Sequence, residues 1–153
     1  MHVRLEKLSD DLFRGHHDAT GTGAFSQWAW DMDSVVDSEI ATLEGEATEN
    51  IEGDEATIAR INLIKALRDL ENCLYDINRA VHLEHHDELA NDPALQAEAE
   101  KTEINAGQEL GGRIGKAAKA IQDFKAAFDR DLDELRLKRQ LLDNTLVASE
   151  IWK

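Results

Sequence analysis

Three histidines fall within five positions in AVHLEHHDEL, residues 80–89, interleaved with Glu84, Asp87 and Glu88. His82 and His86 stand four apart, so on a helix they project from one face, the arrangement by which two imidazoles chelate zinc or iron. A helical hairpin turning near residue 92 would bring Glu98 and Glu103 across from that pair, and two imidazoles with a carboxylate make a workable donor set. The candidate metal ligands are therefore His82, His86, Glu98 and Glu103. The same histidines also have a purely structural reading, because the last turns of a helix favour cationic side chains at the negative end of its dipole.

Other chemistry is thinly represented. HLEHH reads H-x-E-x-H and places Leu83 where a zinc protease carries its general base. A di-iron carboxylate site needs paired Glu-x-x-His motifs, and no second copy follows. Cys73 lies in LENCLYDI, a helix-interior context with no histidine on its face, and no serine sits in a G-x-S-x-G elbow. GQELGG follows no strand and lacks the Lys-Ser/Thr pair of a phosphate-binding loop. The expectation is a non-enzymatic chain with no cofactor, and a metal-dependent helical enzyme is the chemical alternative.

Charge narrows the partners. The chain of 153 residues has a formal net charge of -15, carried by its first two thirds. Residues 1–100 hold 7 Lys or Arg against 23 Asp or Glu, whereas residues 101–153 hold 10 against 9. Between Arg14 and Arg60 there are eleven acids and no lysine or arginine. Such a run repels phosphate and anionic lipid, which argues against direct nucleic-acid binding or attachment to a membrane surface. It reads either as a solubilising surface or as a face for a basic protein, an inhibitor or nucleic-acid mimic with Glu44, Glu46 and Glu49 at its centre.

The elements that must position these residues are helical. Aromatic residues make up 5% and proline occurs once, a composition for aliphatic helix packing. Val3, Leu5, Leu8 and Leu12 are loosely helical, and RGHHDATGTG, with three glycines in nine residues, predicts a loop, so residues 1–23 are expected to form a flexible arm. Phe25, Trp28, Met32, Val35, Val36, Ile40 and Leu43 recur at three and four and predict an amphipathic helix over 24–44. Trp28 and Trp30, two apart, cannot share its buried face, so one of them is left for a neighbour or a partner.

EGEATENIEGDE predicts a connection, followed by a helix over 54–90. Its Leu63, Leu67, Leu70, Leu74, Ile77 and Val81 form a heptad seam. Pro93 stops that helix and, with Asp92 or Asn91 as cap, starts the next over 94–149. There Leu110, Ile114, Ala117, Ile121, Phe124 and Phe128 keep the seam, which slips once on reaching Leu132 before Leu135, Leu142 and Leu146. Gly107, Gly111 and Gly115, spaced by four, predict a close approach to the preceding helix, since an interior glycine costs about 0.8–1 kcal/mol relative to alanine.

The expected domain, 24–153, is thus an all-α, elongated hairpin or three-helix bundle with coiled-coil-like packing. Its last helix outruns its partner by about 30 Å at roughly 1.5 Å per residue. The first helix is expected to cover that overhang, with a second copy as the alternative. Trp28, Trp30, Ile151 and Trp152 are candidate anchors for a protein partner or homo-oligomer. A lone cysteine and the absence of an apolar leader or membrane span predict a soluble, intracellular protein, cytoplasmic or within a virus particle. The functional expectation is structural, adaptor or assembly work, as in a component of a larger particle such as a phage virion.

Overall fold

The computed structural model describes residues 2–20, 25–49, 53–84 and 92–151; the side chains of 48, 49, 81–84 and 148–151 lie outside that description. Among the described residues every element is a helix: α1 (His2–Ala19), α2 (Phe25–Glu49), α3 (Asp54–Glu84) and α4 (Pro93–Ile151). No helix among the described residues is long and apolar enough to cross a membrane.

The first correction concerns the amino terminus. The stretch expected as an arm continues as helix to Ala19, through Gly15, His16 and His17. Leu5, Leu8 and Leu12 are buried and fix α1 against the other helices. Gly15 is required by that packing, because a Cβ there would overlap the Trp28 indole. Tertiary contact thus overrides the helix-breaking tendency of glycine.

Contacts along the chain set every sequential pair antiparallel. In α1 and α2, Arg4 reaches Glu39 and Glu46 while Gly15 meets Trp28. In α2 and α3, Arg60 reaches the Leu43 carbonyl and Asn78 that of Ala29. In α3 and α4, Cys73 donates to the Ala106 carbonyl and Arg113 to that of Asp69. The circuit closes between α1 and α4, where His2 lies 2.8 Å from Asp129 and Lys125 pairs with Glu6.

One core runs between the four helices, built from Leu63, Leu67, Leu70, Leu74 and Ile77 of α3, Leu110, Ile114, Ile121 and Phe124 of α4, and Met32, Val36, Ile40 and Leu43 of α2. Each such buried side chain contributes about 1.5–3 kcal/mol of transfer free energy. Val3 and Val35 are left outside, exposed.

The starts of α4 and α3 are capped in different ways. Asp92 caps α4, its carboxylate accepting from the backbone N–H of Ala94 at 3.1 Å and of Leu95 at 3.2 Å, with Pro93 in the first turn. At the start of α3 the cap position is Gly53, which has no side chain to offer. Asp131 of α4 supplies the missing acceptor, its Oδ2 taking the Ala56 N–H at 2.9 Å. A Cβ at Gly53 would meet that carboxyl group at 2.5 Å, so the glycine is the space the aspartate occupies.

Candidate functional site

The two glutamates expected as metal donors face different clefts. Glu98 lines a cleft of about 210 Å³ with Asp76, Arg79 and Thr102, whereas Glu103 lines a separate groove of about 590 Å³ with His16, Phe25 and Ile104. Five residues of helix turn a side chain through about 140°, which carries the two glutamates to different sides of α4. His86 and the His82 side chain lie outside the described residues. Among the described residues no group of three or more His, Cys, Asp or Glu is placed to hold a metal. In the Glu103 groove, burial and then the neighbouring His17 charge lower the His16 pKa.

The glycine stripe is also corrected. Gly107, Gly112 and Gly115 face open space, and Gly111 would bring a Cβ only to 3.7 Å from His16. The α3 contact instead uses Ala106, Leu110, Ile114 and Ala117, a row adjacent to the glycines. Among the described residues the glycines in close approach are Gly15 and Gly53.

The acidic triad separates by role. Glu46 faces inward, 2.7 Å from Arg4 and 3.4 Å from Arg60. Burial pushes its pKa up, but the bonds and charges of Arg4 and then Arg60 outweigh this and hold it low. Glu44 pairs with Arg68 at the surface, and the Glu49 side chain lies outside the described residues. Arg60 itself is 2% exposed, donates to the Leu43 carbonyl at 3.0 Å and stacks 4.7 Å over Phe124. This polar knot extends α2 through Gly45 to Glu49, a stretch expected as a connection. The recognisable signal is Arg60 itself, the first base after the long acidic run.

Trp28 packs half-buried with its ring 5.9 Å from both His16 and Phe25. Trp30 is 62% exposed. Beside it, Asn78 bonds the Ala29 carbonyl and the Asp33 carboxyl group, and Asp37 and Glu71 share a side-chain hydrogen bond. Tyr75, one turn from both Glu71 and Asn78, is 55% exposed. Burial and then the neighbouring acids raise the pKa of Glu71, and burial followed by the Asp37 charge raises that of Asp33 against the Asn78 bond. The outer α2–α3 face is therefore an acidic patch between two exposed aromatic rings.

The other large exposed feature is the far end of α4. Packing stops at Asp131, and beyond it the overhang is uncovered by α2, which lies along α3 instead. Leu135, Leu137, Leu141, Leu142, Leu146 and Val147 are all exposed, Leu142 by 60%. Leu132, Leu135, Leu142 and Leu146 form one stripe with Arg139 at its centre. Trp152 and the Ile151 side chain lie outside the described residues. Comparison of the chain with protein families, curated proteins and solved structures finds no match.

Proposed function

We propose that the protein is a non-enzymatic structural, adaptor or assembly component that acts through helical protein–protein contacts. Its four helices serve as a bundle with coiled-coil-like packing, and the projecting end of α4 engages another chain. The observation that carries this reading is the exposed leucine stripe on some 24 Å of unpaired helix, 132–147 at about 1.5 Å per residue. A contiguous apolar surface on a projecting element is a mark of an interaction site. The working place is the cytoplasm or a virus particle, where the overhang joins neighbouring subunits.

A photo-crosslinking residue at Leu141, introduced in the cells that make the protein, is expected to trap the chain covalently against another protein chain. Recovery of uncrosslinked chain alone overturns the reading. So does isolation of a chain carrying stoichiometric zinc or iron that is lost in the His82→Ala, His86→Ala double variant.

A further inference from the structure

We infer that the overhang of α4 docks onto the outer α2–α3 face of a second copy, joining molecules head to tail. This rests on the assembly reading above and names the partner for the same surface.

The composition of the overhang selects among occupants. Between Glu134 and Asp143 it carries Arg136, Lys138 and Arg139 and no acid, in a chain whose first hundred residues are strongly acidic. Arg139 lies at the midpoint of the stripe, seven residues from both Leu132 and Leu146. Two overhangs pairing through this stripe, parallel or antiparallel about its centre, would set Arg139 against Arg139. Juxtaposed like charges in a drying interface oppose association. The stripe calls for a surface that offers apolar area and carboxylates together.

The α2–α3 face offers both. Trp30 and Tyr75 supply exposed rings, and Asp33, Asp37 and Glu71 supply carboxyl groups close enough for Asp37 and Glu71 to share a side-chain hydrogen bond. Aromatic anchors beside an arginine are the usual composition of an interface centre. A molecule cannot satisfy its own face. α4 is one continuous helix leaving the core at the Gly53 and Asp131 end, and Trp30 and Asn78 lie toward the opposite end. Because the two surfaces differ, the contact is heterologous and builds rings or open chains of molecules.

Sedimentation velocity of the full chain tests this. Wild-type protein is expected to form oligomers that grow with concentration and dissociate as NaCl rises from about 0.05 to 0.5 M, where screening shortens to a few ångströms. An overhang variant, Arg139→Glu with Leu142→Asp, and a face variant, Trp30→Ala with Asp37→Lys, alter exposed residues and should keep wild-type helicity by circular dichroism. Each alone is expected to weaken association about tenfold or more. Mixed one to one, they should form a dimer that grows no further, since one intact overhang then meets one intact face. If the face variant assembles like wild type while the overhang variant does not, the inference falls and the assembly reading stands. Wild type that stays monomeric at every concentration also overturns the inference, and the crosslink at Leu141 then decides the assembly reading separately.

Discussion

Replacing Asp131 by alanine removes the cap that α4 lends to α3. The Ala56 residue is 1% exposed, so its N–H has no water to turn to once the 2.9 Å bond to Asp131 is gone. An orphaned buried donor costs about 1–3 kcal/mol, overlapping with the roughly 1 kcal/mol typical of a lost N-cap. Losing the carboxylate charge at the positive end of the helix dipole adds about 0.5 kcal/mol. The expected loss is about 2 kcal/mol, or a fall in Tm of about 4–8 °C for a chain of this size. Asp131→Asn retains an acceptor oxygen and should lose only the charge contribution, about 0.5–1 kcal/mol. Thermal unfolding followed by circular dichroism measures both. Asp131→Ala within about 0.5 kcal/mol of wild type would refute the cap, and equal losses in the two variants would show that the hydrogen bond contributes nothing.

Glycine substitutions should divide by environment. Gly112→Ala and Gly115→Ala, with open space at the Cβ, should each stabilise by about 0.5–1 kcal/mol, whereas Gly15→Ala, driven into Trp28, should cost about 1–3 kcal/mol in urea unfolding. The raised pKa of Glu71 means the folded chain holds its proton more tightly than the unfolded one. Stability from this group is present at low pH and is lost as pH rises through the carboxylate range, so Glu71→Gln should raise Tm at about pH 7 and change little near pH 4; a drop in Tm at pH 7 would contradict the burial of this carboxyl group beside Asp37 and Asp33. Cys73 is buried, donates to the Ala106 carbonyl and has its pKa pushed up to about 11, by burial first. Thiol reagents at about pH 8 should label it only as fast as the chain opens, and prompt labelling of folded protein would show the α3–α4 contact to be open.

The seam residues were legible because a heptad needs only spacing to declare itself. Leu63 through Ile77 and Leu110 through Phe124 read as one buried face each, and they are buried. Residues that answer to partners distant in sequence were not legible. Glycines illustrate this: Gly107, Gly111 and Gly115 form a conspicuous row yet no neighbour crowds them, while Gly15 and Gly53 follow no pattern and are fixed by Trp28 and Asp131. The triad Glu44, Glu46 and Glu49 likewise reads as one acidic patch, but Glu46 belongs to a buried knot with Arg4 and Arg60.

The helical character of the described residues and the start of α4 could be read from the sequence alone. Those features depend on period, on Asp92 and Pro93, and on composition, all local quantities. It took the packed helices to show that residues 2–19 are a fourth helix, that α2 covers α3 and leaves the overhang bare, and that Glu98 and Glu103 face different clefts. The reason is that a helix of either hydropathic phase can bury its stripe against several neighbours. Which neighbour is chosen depends on the summed burial and ion pairing of all four helices.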